Sequence, residues 1–346
     1  MSNLKIDHVS HSSLSALKVS PLYFQKYINR ELNQEDSRYL DLGSAIHCYI
    51  LENKFFDDRY IVSNTNVVGG MMGKFLEAMV ENEKYVAESL HDSTEDTPDE
   101  FVLVNTAHLY QHCYDISGFK IPIATVIKKL ETTENNDYLN FLREAQGKHV
   151  LSQEEMGIII NCSETIKMHA VAANILNTSE LSGAEPEKEI LWTCKGFKIK
   201  SIIDNLILDK EQKLVTIVDL KTTAKSVYNF VRAYASYGYY RQMAIYREAV
   251  HAYLEEIGEN SMDYDIKQYI VAVQTTGLYE CVVYEPDSTD LSIAIDEFDS
   301  LLERLKWHQD HNRWEYPMEY YNNNGVIKIK LSDETISRIR EDSKIS

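Results

Sequence analysis

The sequence predicts an α/β or α+β fold, with a mixed central sheet flanked by helices and a helical N-terminal extension in front of it. Three observations predict it. From Glu185 the apolar pattern changes to the period of strands, and Glu187–Thr193, Phe197–Leu208 and Lys213–Leu220 read as three strands in succession. Only the short turns Cys194-Lys195-Gly196 and Asp209-Lys210-Glu211-Gln212 separate them, which favours an antiparallel meander. The segments on either side carry helical patterns. Residues 1–180 are therefore expected to form a mainly helical part and residues 181–346 the sheet-bearing core, together making one compact domain.

The helical part is punctuated near its start. His11-Ser12-Ser13 precedes an apolar-periodic stretch, and Ser20-Pro21 reads as an N-cap followed by Pro at the first helical position. The helix it opens should carry Tyr23, Phe24 and Tyr27 on its inner side. A third helix is expected over about 40–53. Residues 55–180 look mostly helical, with exposed loops at Thr94–Glu100 and Thr132–Asp137. The capping box Ser152-Gln153-Glu154-Glu155 opens a helix that should run to Leu176.

In the core, Leu214–Val218 is almost continuously apolar, as expected of a central strand buried on both faces. One long helix is expected over Val227–Ile257, strands around Gln268–Gln274 and Tyr279–Tyr284, and a last helix from about Asp287 to Asp310.

Composition bounds the function. The 346 residues are 44% hydrophobic and 26% charged, enough for a sizeable core. The five cysteines are scattered without a CxxC pair, which argues for a reducing compartment and against a disulfide framework or a thiolate metal site. No apolar run approaches the roughly 20 residues that span a bilayer. The opening MSNLKIDHVSHSS lacks the order of a signal peptide, so a cytoplasmic location is expected. A net charge of −19 sits awkwardly with nucleic-acid binding, yet residues 185–250 hold eleven bases against eight acids. A locally basic channel in an acidic body is consistent with that distribution.

The chemistry concentrates in Ile202-Ile203-Asp204 and, after fourteen residues, Val218-Asp219-Leu220-Lys221. An acid-x-Lys triplet alone means little, since Glu52-Asn53-Lys54, Glu211-Gln212-Lys213, Asp265-Ile266-Lys267 and Asp342-Ser343-Lys344 repeat it. Asp219 differs because it ends a buried apolar strand, where a carboxylate is costly unless compensated. Two acids on adjacent strands with a Lys two residues on suit a divalent cation with an ammonium beside it, the grouping that phosphodiester hydrolysis requires. A plain ion pair at a strand end is the competing reading. Gln242 and Tyr246 lie one helical turn apart and can both hydrogen-bond to phosphate, or simply pack the helix on the sheet. Glu187 and Glu189 share a strand face, so spacing does not choose between them. The tyrosines crowded between Tyr228 and Tyr246 either stack on exposed bases or pack the helix, the second being favoured.

Read in order, these segments resemble the PD-(D/E)xK nucleases, in particular the C-terminal nuclease part of the exonuclease VIII type of phage and prophage recombination. Ser13–Leu17 with Ser20–Phe24 resembles that family's opening helix pair, and Leu42-Gly43-Ser44-Ala45-Ile46-His47 its glycine-to-histidine helix. Gly147–Ser152 and the helix through His169 and Leu176 resemble the stretch before the catalytic sheet, and Glu187–Trp192 the acidic strand. Asp219-Leu220-Lys221-Thr222-Thr223 matches closely, and Gln242-Met243-Ala244-Ile245-Tyr246 matches the Q-x-x-x-Y signature of the exonuclease branch. The motif's proline has no counterpart before Asp204.

The resemblance implies a restriction-endonuclease-like core and a Mg²⁺- or Mn²⁺-dependent deoxyribonuclease that degrades duplex DNA from an end, 5′→3′. It implies metal ligation by His47, Asp204, Asp219 and the Leu220 carbonyl, a role for Lys221 toward water, and phosphate positioning by Gln242 and Tyr246. The tryptophan offset favours Glu187 over Glu189. With only Cys281 near the C-terminus, no iron–sulfur cluster is expected. A single-strand annealing protein and a homo-oligomer are the partners it suggests besides DNA. Two alternatives stay open: an inactive nuclease scaffold serving as a binding or DNA-mimicking module, and a structure-specific endonuclease using the same residues.

Overall fold

The computed structural model describes residues 4–32, 37–89, 106–177 and 181–329. The chain divides into two units, Met1–Arg38 with Ile166–Ser346, and Tyr39–Thr165. The first carries the sheet. The N-terminal helices therefore group with the sheet rather than with the other helices, and apolar packing explains why. Leu14, Leu17 and Phe24 share one buried cluster with Ile199, Ile245, Phe298, Leu302 and Trp314. Val9 adds a parallel bridge to Ile199, donating to the Lys198 carbonyl at 2.8 Å and accepting from the Lys200 amide at 2.7 Å.

Two helices open this unit, α1 (His11–Val19) and α2 (Pro21–Ile28). Ser10 caps the first and Ser20 the second, with Pro21 in the first turn as the sequence predicts. After α3 (Ala170–Leu176) come β1 (Ala184–Cys194), β2 (Phe197–Asp209) and β3 (Leu214–Thr223), an antiparallel meander. The chain then crosses through α4 (Phe230–Ser236) and α5 (Tyr239–Glu256) to β4 (Asp265–Gln274), which pairs parallel to β3. β5 (Cys281–Tyr284) closes the edge antiparallel to β4, and α6 (Ser288–His311) follows, capped by Asp287. The five-stranded order β1-β2-β3-β4-β5 makes the sheet mixed and β3 its centre. That matches the almost continuously apolar run of Leu214–Val218. Val215, Ile217, Ala272 and Ile270 pack with Met243, Tyr246, Ala249 and Val250 of α5 in the principal core.

The expected single helix over Val227–Ile257 is instead broken. Val227–Asn229 is a 3₁₀ turn, and α4 and α5 meet at Gly238, whose φ is +70°. A Cβ there would stand 2.8 Å from the Arg241 guanidinium, so both backbone and packing call for glycine. The helix expected from Ser152 to Leu176 also splits, into Gln153–Met168 and α3. His169 forms the break, its ring nitrogen accepting from the Ala172 amide as an N-cap.

The second unit is mainly helical, with Tyr60–Val62 and His149–Leu151 paired as a small parallel sheet. Its core joins Phe75, Leu76 and Met79 to Tyr138, Leu139 and Phe141. The loop expected at Thr132–Asp137 is the first turn of the helix Thr133–Glu144, because burying those three apolar residues overrides a polar start. The Ser152 capping box forms as predicted, Glu155 and Ser152 each accepting from the other's amide. The loop expected at Thr94–Glu100 lies outside the described residues.

Candidate active site

Strand register builds the centre. In the β1–β2 ladder Pro186 pairs with Asn205 and Lys188 with Ile203, which leaves Glu187 opposite Asp204. Between β2 and β3 the last pair is Asn205 with Val218, and Asp204 and Asp219 are the residues just beyond it. There the Asp204 carboxylate accepts the Leu220 amide hydrogen at 2.6 Å. Residues directly opposite one another in antiparallel strands share a face. Glu187, Asp204 and Asp219, on three neighbouring strands, gather as a row of three carboxylates whose charges all act on Tyr246. Glu187 and Asp204 place carboxylate oxygens within 4.8 Å of each other.

This row is buried. Asp204 is 8% exposed and Asp219 fully enclosed. Burial pushes the Asp204 carboxyl above its ordinary range, while the Lys221 charge and the Leu220 amide pull it back. Lys221 lies two residues beyond Asp219 on the same face, its Nζ 2.7 Å from Asp219 Oδ1. Burial works to lower the Lys221 ammonium, and the Asp219 and Asp204 charges more than offset it, leaving the group above its usual value. Lys221 also sits over the Tyr239 ring, 5.1 Å from its centroid.

From α5, the Gln242 side-chain amide donates to the Tyr246 hydroxyl at 2.7 Å. Tyr246 is buried, and that burial, with the charges of Asp219 and Asp204, drives its phenol well above the ordinary value. Its neutral hydroxyl therefore holds Gln242 in place, while Gln242 itself reaches a cleft of about 550 Å³. Lys221 forms part of that cleft, together with His11 and Ser15 of α1, Tyr23 and Tyr27 of α2, and Tyr237 and Tyr239 beside Gly238. Phe24 is fully buried, but Tyr23 and Tyr27 are not the inner-side residues expected of them: they are 42% and 39% exposed and line the cleft. The sequence reading missed His11, Tyr23 and Tyr27, whereas Tyr237 and Tyr239 belong to the tyrosine-rich stretch for which it weighed base stacking against packing and favoured packing. Tyr23 and Tyr27 lie one turn apart and so share a face, but that spacing does not say whether the face is buried.

The remaining predicted residues fall as follows. Glu189 is exposed and paired with Lys200, whereas Glu187 is the acid beside Asp204. The Leu220 side chain is buried and its backbone amide fixes Asp204. His47 belongs to the other unit, half-buried on the helix Ser37–Leu51. The basic segment 185–250 is less available than its count suggests. Lys188, Lys195, Lys200, Lys210, Lys213, Lys221 and Arg241 are all engaged in ion pairs with carboxylates.

A family model described as a PDDEXK-like domain of unknown function, DUF3799, matches residues 10–320. Among solved structures, the chain is similar to a crystal structure of a putative exonuclease from Eubacterium rectale, at 13% identity and a TM-score of 0.46. That alignment covers 95% of this chain and 92% of the other. The protein SSO0001 aligns at 16% identity and a TM-score of 0.22, over 67% of this chain and 87% of its own. No curated protein matches the chain. No described helix is long and apolar enough to cross a membrane.

Proposed function

We propose, from the premise that this chain belongs to the PDDEXK-like domain family, that it is a divalent-metal-dependent deoxyribonuclease acting on duplex DNA from an end. The observation that carries the reading is the row Glu187–Asp204–Asp219 with Lys221 at its edge. Side-chain donors from these three positions are all carboxylate oxygens, the chemistry that suits Mg²⁺ or Mn²⁺. Enclosed carboxylates set side by side also repel one another, and a cation relieves that repulsion.

Asp204, Asp219 and Glu187 would hold the cation. The resemblance adds His47 and the Leu220 carbonyl as further ligands. A bound cation supplies Lewis-acid polarisation of the phosphoryl group and a more acidic water. The chain's own residues do the rest. Lys221 keeps an ammonium beside Asp219 to orient the attacking water and offset charge that grows in the transition state. Leu220 fixes the direction of Asp204 through its amide. Tyr246 positions Gln242, which lines the cleft and whose amide can hydrogen-bond to a phosphate there. The 5′→3′ polarity, a single-strand annealing partner, a homo-oligomeric state and a role in phage-type recombination follow from the resemblance, as does a cytoplasmic setting.

The test is digestion of end-labelled linear and covalently closed circular duplex DNA with Mg²⁺, with Mn²⁺, with EDTA, and with Asp219→Asn. Metal-dependent loss of the linear substrate alone, abolished by the substitution, is the expected result. Cutting of the circle moves the assignment to an endonuclease. Silence on both substrates by folded protein moves it to the inactive scaffold.

A further inference from the structure

We infer that the cleft beside Lys221 is a binding subsite for one unpaired nucleobase of the strand being cut, held by stacking on tyrosines. The inference rests on the nuclease reading and deepens it by naming the form of DNA end that the site accepts.

The cleft, about 550 Å³, lies in the size range of roughly 300–1,000 Å³ typical of small-molecule sites. Aromatic faces enter it from two elements. Tyr23 and Tyr27 come from one side of α2, and Tyr237 and Tyr239 flank the left-handed turn at Gly238. Tyr237 is 63% exposed and its ring lies 5.7 Å from that of Tyr239. Tyr239 is anchored by stacking on Phe230, also at 5.7 Å, and carries the Lys221 ammonium over its face. The aromatic cleft is thus continuous with the catalytic ammonium.

Charge decides what the cleft takes. Among the described residues, Lys221 is the one charged residue lining it, and that ammonium is committed to Asp219. A phosphate pocket needs cations to spare; a cleft of tyrosines edged by hydroxyls and an amide suits a flat, neutral, polar heterocycle. Ser12, Ser15 and Gln242 supply the polar edge. His11 is fixed by its Nε2–H donating to the Gly238 carbonyl at 3.0 Å, which leaves Nδ1 as an acceptor. A base still stacked and paired in the duplex has no free face to offer. The last pair of an end must open to fill this cleft, and frayed ends need less work than clamped ones.

The experiment uses the full-length protein in EDTA with duplexes carrying 2-aminopurine at a mismatched terminal position, whose fluorescence falls on stacking. Wild type is compared with Tyr23→Ala/Tyr237→Ala and Tyr23→Phe/Tyr237→Phe. Wild type and the Phe pair are expected to quench alike, and the Ala pair to bind roughly tenfold more weakly, the loss of one base–aromatic stack. With Mg²⁺, the Ala pair should raise KM on frayed ends by a similar factor, leave kcat little changed and lose the preference for frayed over G·C-clamped ends. Unchanged quenching in an Ala pair that melts like wild type overturns the subsite, as does absence of quenching by wild type. Tyrosine-dependent quenching without cleavage of any substrate keeps the subsite and sinks the nuclease reading. Metal-dependent cleavage with tyrosine-independent binding does the reverse.

Discussion

Glu187 stands opposite Asp204 in the strand register while its own backbone is left-handed, at φ +49°. An L-residue in that region costs about 1–2 kcal/mol, and such strain gathers where function over-determines the conformation. Pro186 before it donates no backbone hydrogen bond, so the distortion sits where the ladder is already interrupted. Removing the carboxylate should abolish turnover whichever residue replaces it. Glycine relieves the strain that alanine keeps, offset by the ~0.5–1 kcal/mol that glycine loses in conformational freedom. Glu187→Gly is therefore expected to be more stable than Glu187→Ala by somewhat under ~1 kcal/mol. Urea unfolding of the two inactive variants measures this, and an Ala variant of equal or greater stability counts against strain at this position.

Asp204 does two jobs that substitution can separate. Its carboxylate accepts the Leu220 amide and, under the proposed function, ligates metal. Asp204→Asn keeps an acceptor for that amide and drops the buried charge, so it should melt at or above the wild-type temperature in EDTA while turnover disappears. Asp204→Leu leaves the amide unsatisfied, at a cost of about 1–3 kcal/mol. If Asn and Leu melt alike, the hydrogen bond contributes nothing measurable.

Legibility in the sequence followed the range of the forces involved. The meander, its central strand and Asp219-Leu220-Lys221 were readable because they rest on local period and adjacency. The family assignment held for the same reason: ordered short motifs survive in one dimension, and the family model covers residues 10–320. The break at Gly238 was not readable, because it depends on the Arg241 side chain packed against Ser15 and Glu297 from other helices. Tyr23 and Tyr27 look like core residues from composition alone; only the assembled unit shows that Phe24 occupies the core and the tyrosines the cleft. Counting bases in 185–250 likewise overlooked the acids that α6 and the turn after α5 bring to them.

His11 makes stability depend on pH in a defined direction. Burial, then the Arg241 charge, holds its imidazole down to about 3, with Lys221 acting the same way and Glu297 opposing. The unfolded chain takes up a proton on this residue near the ordinary value of about 6.5, and the folded protein does not until about 3. The contribution is fully present above about 6.5 and is lost progressively as pH falls toward 3. His11→Gln, which can still donate to the Gly238 carbonyl, should flatten the decline of melting temperature between pH 7 and 5. Parallel wild-type and variant profiles would show that the ring is not held neutral by its surroundings.

Lys221 and the proposed cation compete for the same negative charge, which predicts opposite effects on stability and metal response. Lys221→Met removes the ammonium 2.7 Å from the fully enclosed Asp219 carboxylate. Breaking one side of a buried pair costs about 3–5 kcal/mol, so the variant should unfold well below wild type in EDTA. With the like-charged neighbour gone, a divalent cation binds the carboxylate row more favourably. Saturating Mn²⁺ at about 100 times its dissociation constant stabilises a folded protein by ~2.7 kcal/mol, and tighter binding raises this at fixed concentration. The metal-induced rise in melting temperature is thus expected to be larger for Lys221→Met than for wild type, and absent for Asp219→Asn, although both variants lose turnover. Equal metal shifts in wild type and Lys221→Met would place the cation away from Asp219, and a preserved shift in Asp219→Asn would place it outside the carboxylate row altogether.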